Sequence, residues 1–163
     1  GTRTGDLDLG VLIYIMQKEG IDSHVANTLI NKHSGILGIT GISSDMREVE
    51  NAMEEGNERA ALALDMYHYR IRKYIGAYAA AMNGVDAIVF TGGVGENGPE
   101  SREEICQGFE FLGLEFDKDK NDGVRGKELI FSADSSRVKA MVIPTNEELV
   151  IATDAQKLIS DKS

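Results

Sequence analysis

The sequence has few of the residues that mark secreted, membrane-spanning or aromatic-rich proteins. Among its 163 residues there is no tryptophan, two are proline, and Cys106 is the single cysteine. One cysteine cannot form an internal disulfide, so we expect a reducing, cytoplasmic environment. No apolar run approaches the ~20 residues that a membrane-spanning helix requires, so no membrane partner is expected.

Basic residues are also in deficit. The chain has 17 lysines and arginines against 27 aspartates and glutamates, which gives a formal net charge of −10. That balance opposes binding to nucleic acids, whose phosphate backbone requires a basic surface. It does not oppose binding of one nucleotide, because backbone N–H groups and individual arginines can hold phosphate locally. The length suits one domain with a core of its own.

Hydrophobic periodicity and capping residues predict an α/β protein that is rich in helix and has a small sheet. Gly35–Ile42 is punctuated by glycine and is predicted to be a loop. The predicted strands are 87–90, 129–131 and 140–143. The predicted helices are 9–18, 25–33, 45–53, 57–83, 101–112 and 149–159.

The longest predicted helix carries one apolar stripe. Its members recur every three or four residues. Such a stripe is typical of a core face, and it also suits a surface that binds a partner. The stripe comprises Leu64, Tyr67, Ile71, Tyr74, Ile75, Tyr78 and Met82.

A glycine-rich segment, Thr91–Gly98, lies between the apolar strand 87–90 and a helix that opens at Pro99. Glycines at such a junction permit unusual backbone angles and let a ligand approach the main chain. The segment therefore predicts a nucleotide or phosphate platform. Gly93-x-Gly95-x-x-Gly98 followed by Asp117 also matches a dinucleotide fingerprint, and a plain tight turn before a capped helix fits as well.

The residues between these glycines are more specific. Thr91-Gly92-Gly93-Val94-Gly95-Glu96-Asn97 resembles the adenosine-binding loop of acetate kinases, relatives of sugar kinases, actin and heat-shock chaperone ATPases. Three further segments resemble motifs of the same family in the same order: Gly1-Thr2-Arg3-Thr4-Gly5-Asp6-Leu7-Asp8, Ile42-Ser43-Ser44-Asp45-Met46-Arg47 and Pro144-Thr145-Asn146-Glu147-Glu148.

The resemblance implies a partial ribonuclease-H-like, or actin-like ATPase, domain with a small mixed sheet that lacks its first strands. Chains of this family are more than twice as long. Residues 1–163 would therefore be the C-terminal nucleotide-binding domain, without the N-terminal domain. The implied parent enzyme moves the γ-phosphoryl group of ATP to acetate, reversibly and with Mg²⁺, and it is a homodimer.

The resemblance also implies roles for individual residues. Arg3 is the catalytic candidate, because a guanidinium can neutralise charge on a phosphoryl group during transfer. Glu147 is the metal candidate, since Mg²⁺ keeps most of its waters and needs one or two carboxylates. Asp45 also has the pattern of a helix N-cap. The implied nucleotide-binding residues are Asp45, Met46, Arg47, Gly92, Gly93, Val94, Gly95 and Asn97.

Several hypotheses remain open on the sequence alone. The 163 residues by themselves are expected to lack kinase activity, because one wall of the family's active-site cleft is missing. A propionate or butyrate kinase is a close variant. A dinucleotide-binding module and a non-catalytic dimerisation domain are alternatives from other classes. His24, His33 and His68 have no metal-ligand spacing and are predicted to be surface or helix-end residues.

Overall fold

The computed structural model describes residues 1–160, which form two compact units. The first unit is Gly1–Ile71, and the second begins at Arg72. The described helices are α1 (Leu9–Glu19), α2 (Ser23–Lys32), α3 (Gly35–Thr40), α4 (Met46–Glu54), α5 (Glu58–Ala81), α6 (Gly92–Asn97), α7 (Pro99–Cys106), α8 (Lys118–Asn121) and α9 (Glu147–Ser160). The described strands are β1 (Ala87–Phe90), β2 (Leu129–Ile130) and β3 (Lys139–Val142).

The first unit is helical, and aspartates begin three of its helices. The side chains of Asp8, Asp22 and Asp45 accept hydrogen bonds from backbone N–H groups in the first turns of α1, α2 and α4. These bonds satisfy donors that a helix leaves unpaired at its start. A core cluster joins α3, α4 and the first half of α5 through Ile36, Val49, Ala60, Ala63 and Leu64.

The segment 35–42 forms helix α3, so the prediction of a loop there was wrong. The glycine spacing hid a pair of inward-facing residues, Ile36 and Thr40, which are both buried. The Thr40 hydroxyl donates to the Ile36 carbonyl at 2.9 Å. Gly41 then ends the helix in a left-handed conformation. Burial in the core outweighs the low helix propensity of glycine here.

The second unit contains a three-stranded mixed sheet in the order β1–β3–β2. β1 and β3 are parallel and pair Phe90 with Val142, whereas β2 is antiparallel to β3. The aromatic rings of Phe90 and Phe131 lie 5.5 Å apart in its core. The prediction of a helix-rich α/β fold with a small mixed sheet is confirmed.

Exposure along α5 changes from one end of the helix to the other. Leu64 is 4% exposed, whereas Tyr78 and Met82, at and just beyond the C-terminal end, are 61% and 63% exposed. The predicted stripe is therefore a core face only in its first part. His68 lies in the middle of α5 and is buried against the ring of Tyr67, so its prediction as a surface or helix-end residue was wrong. The other two histidines are exposed.

Helix α7 ends at Cys106, earlier than the predicted end at Leu112. Gly108 has a φ of 84°, a left-handed conformation that interrupts the helix. A short 3-10 turn, Glu110–Leu112, follows. Cys106 is 2% exposed, so its thiol is packed in the interior of this unit. Across the described residues we find no helix with the length and apolar character needed to cross a membrane.

Candidate functional site

Two of the sequence motifs follow the C-terminal ends of neighbouring parallel strands and therefore lie at the same edge of the sheet. β1 ends at Phe90, directly before Thr91, and its partner β3 ends at Val142, directly before the segment Ile143–Thr145. The carboxyl ends of parallel strands lie at one edge of a sheet, and ligands of α/β proteins bind preferentially there. The register therefore brings the glycine-rich segment and the Pro144–Glu148 motif together.

The glycine-rich segment, which resembles the adenosine-binding loop of the family, forms a short helix, α6. Each glycine of α6 has a different backbone conformation or surrounding space. Gly92 has a φ of 70°, which side chains rarely tolerate. A Cβ on Gly95 would lie 3.2 Å from the backbone of Phe90. A Cβ on Gly93 would meet nothing within 4 Å, so this glycine faces open space.

The carboxylate of Glu96 joins the two motifs. Its Oε1 accepts hydrogen bonds from the Gly92 amide at 2.8 Å, the Thr145 amide at 2.8 Å and the Thr145 hydroxyl at 3.1 Å. The Thr91 and Thr145 hydroxyl oxygens are 2.6 Å apart. The Thr145 amide, followed by the threonine hydroxyls and the Gly92 amide, lowers the pKa of the Glu96 carboxyl. Glu96 is therefore ionised at neutral pH.

A buried arginine holds the other end of α6. The guanidinium of Arg102 donates to the Gly95 carbonyl at 2.9 Å, the Glu96 carbonyl at 3.2 Å and the Val124 carbonyl at 2.7 Å. Burial lowers the pKa of Arg102, but an arginine stays protonated at neutral pH. Its positive charge lies at the carbonyl end of α6, which is favourable for a helix C-terminus.

The remaining predicted residues of this segment differ in exposure. The exposed Asn97 donates from Nδ2 to the Gly93 carbonyl at 3.1 Å. The guanidinium of Arg125 donates to the Asn97 carbonyl and contacts Glu100 at 3.2 Å. Val94 is half-buried. The Asn97 side chain is thus exposed, while its amide nitrogen is used within the helix.

In the first unit, Asp45 and Arg47 form a two-pronged ion pair. Oδ1 of Asp45 accepts from the Arg47 amide at 3.0 Å and from its Nε at 3.1 Å, and Oδ2 accepts from Nη2 at 2.7 Å. The Arg47 side chain lowers the pKa of Asp45, and Asp45 raises that of Arg47. Asp45 therefore acts as the predicted N-cap of α4 and also forms an ion pair with Arg47. Met46 packs against the core cluster of this unit.

Arg3 lies on an ordered N-terminal segment of the first unit. The Thr4 amide donates to the Ile30 carbonyl at 2.9 Å, and the Ser34 amide donates to the Thr2 carbonyl at 3.0 Å. A Cβ on Gly35 would lie 2.8 Å from the Arg3 carbonyl, so the two backbones are in close contact. The Arg3 side chain remains exposed. The segment is held by α2 and α3 while the guanidinium stays accessible.

Glu147 is the first residue of α9 and is exposed. The described residues contain no group of three histidine, cysteine, aspartate or glutamate side chains that could enclose a metal. Mg²⁺ does not need such a group, because it keeps several waters and is bound through one or two carboxylates plus substrate phosphates. The donor set that Glu147 offers fits Mg²⁺ held with a nucleotide.

Sequence reasoning missed Glu96, Thr145 and Arg102 as determinants of this site. Glu96 and Thr145 were inside quoted motifs but had no role assigned, because their contact spans 49 positions. The signal available for Glu96 was an acidic residue four positions after Gly92. Arg102 carried no signal, since a buried arginine on a helix reads from the sequence as a solvated one.

The arrangement differs from a dinucleotide fold. In that fold, the acidic residue follows a strand parallel to the glycine-bearing strand. Here the strand parallel to β1 is β3, and Asp117 instead caps α8 by accepting from the Lys120 amide at 3.1 Å. In addition, the amide of Gly92, beside the fingerprint glycines, donates to the Glu96 carboxylate.

Comparison with known proteins gives consistent matches. The acetokinase family profile matches residues 1–153. The chain is 55% identical over 159 residues to the acetate kinase of Porphyromonas gingivalis strain W83, covering 98% of this chain and 40% of that protein. It is 59% identical over 160 residues to the acetate kinase of Caldanaerobacter subterraneus subsp. tengcongensis, with the same two coverages.

Solved structures agree. A crystal structure of Porphyromonas gingivalis acetate kinase matches with a TM-score of 0.92 and 54% identity, over 97% of this chain and 40% of that one. A crystal structure of a propionate kinase from Francisella tularensis matches with a TM-score of 0.83 and 38% identity, over 93% and 38%. The chain thus spans about 40% of the length of the curated relatives that it matches.

Proposed function

Because the chain belongs to the acetokinase family, we propose that it is the C-terminal nucleotide-binding part of an acetate kinase. The complete enzyme transfers the γ-phosphoryl group of ATP to acetate and forms acetyl phosphate and ADP, reversibly. The observation that carries this proposal is the pairing of β1 with β3. It gives the Thr91–Asn97 and Pro144–Glu148 motifs a common edge of the sheet.

The nucleotide contacts are proposed for two segments, one in each unit. In the second unit, Gly92, Gly93, Val94, Gly95 and Asn97 offer a surface that a nucleoside can approach, with open space at Gly93. In the first unit, Asp45, Met46 and Arg47 take part. Arg47 offers a planar cation for a base or phosphate, and Asp45 holds it through two side-chain hydrogen bonds.

Arg3 and Glu147 are proposed to act on the phosphates. Phosphoryl transfer depends mainly on positioning and on neutralisation of charge. Arg3 can stabilise the charge of the transferred group, because its guanidinium is exposed on an anchored segment. Glu147 would hold Mg²⁺, which neutralises phosphate charge when it is bound. Each role needs one charged side chain, so single substitutions separate them.

A propionate kinase is the second candidate, and the match to the Francisella tularensis propionate kinase favours keeping it. Both candidates use the same nucleotide chemistry and differ in the acceptor.

The exposed apolar residues at the end of α5, Tyr78 and Met82, support a proposed homodimer through this helix. We expect a single-species dimer by sedimentation equilibrium at micromolar concentration, and Tyr78→Asp should favour monomer. The lone buried cysteine suits the proposed cytoplasmic location.

The test is a hydroxamate assay for acyl phosphate with MgATP and either acetate or propionate. The product of the complete coding sequence that contains these residues should turn over acetate in preference to propionate. The 163 residues alone should stay at background, because they span 40% of the relatives' length. No acyl phosphate from the complete protein with either acid would refute the proposal. Preference for NAD over ATP in a binding titration would favour the dinucleotide alternative.

A further inference from the structure

Glu96 has no role in the function proposed above, yet it contacts both motifs of the second unit. One carboxylate oxygen accepts three hydrogen bonds, one from the glycine-rich segment and two from Thr145. Thr145 is two residues before Glu147, the proposed metal carboxylate. A single side chain therefore lies between the proposed nucleoside contacts and the proposed metal contact.

Helix α6 cannot hold this geometry by itself. It has six residues, three of them glycine, and isolated helices of that length are unstable in water. Arg102 secures its carbonyl end through bonds to the Gly95 and Glu96 carbonyls. The Glu96 side chain secures its amide end at Gly92. Of these two supports, the Glu96 side chain is the one that continues to the segment carrying Glu147.

We infer that Glu96 is a positioning residue that keeps the Gly92–Asn97 helix and the Thr145–Glu147 segment in the relative arrangement that MgATP requires. This inference rests on the proposed function. An ionised carboxylate suits the role, because it offers acceptors only, and three donors converge on one of its oxygens. An amide in its place would carry no charge, so the charge-assisted part of these hydrogen bonds would be lost. Glu96 itself need not touch the nucleotide.

The experiment compares Glu96→Gln with Glu104→Gln in the complete enzyme. Glu104 is an exposed glutamate on α7 that contacts Gln107, so the same substitution there serves as the control. For Glu96→Gln we expect KM for MgATP to rise about tenfold, as the loss of one charge-assisted hydrogen bond predicts. KM for acetate should stay within about twofold, because the contacts proposed for these segments are with the nucleotide and the metal. The melting temperatures of the two variants should agree.

Thr145→Val provides an independent variant, because it removes the hydroxyl contact and keeps the amide contact. It should raise KM for MgATP in the same direction but less. Added to Glu96→Gln, it should have almost no further effect, as expected for two partners of one interaction. If Glu96→Gln does not fold, the Thr145→Val result decides.

An unchanged KM for MgATP in either variant would overturn the inference. So would a uniform loss of kcat accompanied by a lower melting temperature, because that pattern reports general destabilisation. Failure of the proposed function looks different: the unmodified enzyme would then make no acyl phosphate and bind no ATP.

Discussion

Arg102 donates from Nε to the Oδ1 of Asn121 at 2.8 Å, and both side chains are buried, at 0% and 2% exposure. Asn121 in turn donates from Nδ2 to the Pro99 carbonyl at 2.9 Å. The pair thus connects the start of α7 with α8, and the same guanidinium reaches the carbonyls at the end of α6. Arginine is usually a surface residue, but here Arg102 forms the polar centre of the second unit.

Arg102→Met should lower the free energy of unfolding by about 3 kcal/mol, because it removes the donor to the buried Asn121 Oδ1 and to the part-buried Gly95 and Val124 carbonyls. Urea denaturation measures the change. Arg59→Met is the control, since Arg59 is exposed on α5 and its loss should change stability by less than about 0.5 kcal/mol. Equal unfolding midpoints for the two variants would contradict a structural role for the Arg102–Asn121 pair.

Gly93→Ala should leave the fold intact and weaken nucleotide binding. A Cβ at Gly93 meets nothing within 4 Å of the protein, so a methyl group there can clash only with a ligand. We expect KM for MgATP to rise about tenfold, the loss expected when a methyl group displaces a ligand from its place.

Two further alanine substitutions test the reason for this effect. Gly76, on α5, faces equally open space, so Gly76→Ala should neither raise KM for MgATP nor lower stability. Gly95→Ala should instead lower stability by about 1–2 kcal/mol, because its Cβ would crowd the Phe90 backbone. If Gly93→Ala and Gly76→Ala have the same KM, the Gly93 surface does not face the nucleotide.

Asp45→Asn should separate helix capping from nucleotide binding. Asparagine caps helices about as well as aspartate, so the melting temperature should change little. The substitution removes the charge that holds the Arg47 guanidinium at 2.7 Å, so KM for MgATP should rise. Asp22→Asn, at the start of α2, is the matched cap control and should leave KM unaltered. A rise in KM for both variants would indicate a general effect of N-cap replacement.

The Cys106 thiol should make stability depend on alkaline pH. Burial raises its pKa from 9.0 to about 12, so the folded state keeps a proton that the unfolded chain loses above pH 9. The contribution to stability is therefore complete below pH 9 and declines as the pH rises toward 12. Urea midpoints between pH 8 and pH 10.5 should fall.

Cys106→Ala is the comparison for that measurement, and its midpoints should fall less over the same range. In the unmodified protein, a thiol reagent at pH 8 should react slowly until denaturant is added, because the reactive thiolate is scarce and covered. Rapid stoichiometric labelling of the folded protein would show that Cys106 is accessible.

Sequence patterns predicted the elements whose signals are local. Helix α1 ends at Glu19, one residue beyond its predicted end, and the strands at 87–90 and 140–143 are confirmed within one residue. The errors lie where distant contacts decide. Glycines at 35–41 and 92–97 suggested loops, but helices form there, with Ile36 buried in the core and Glu96 bonded to the distant Thr145. No local pattern predicts that Glu96 meets Thr145.

The hydroxyl groups beside Glu96 have a fixed direction of donation. The Thr145 hydroxyl gives its one proton to the Glu96 carboxylate, and the Thr91 hydroxyl, 2.6 Å from the Thr145 oxygen, also donates within this group. Thr91, which is exposed, has then spent its own proton and presents lone pairs alone to its surroundings. The negative charge of the half-buried Glu96 thus leaves Thr91 with only acceptor lone pairs to offer a ligand. The Thr91 hydroxyl oxygen can accept a hydrogen bond from an amino or hydroxyl group of a ligand. It cannot donate one to a phosphate oxygen.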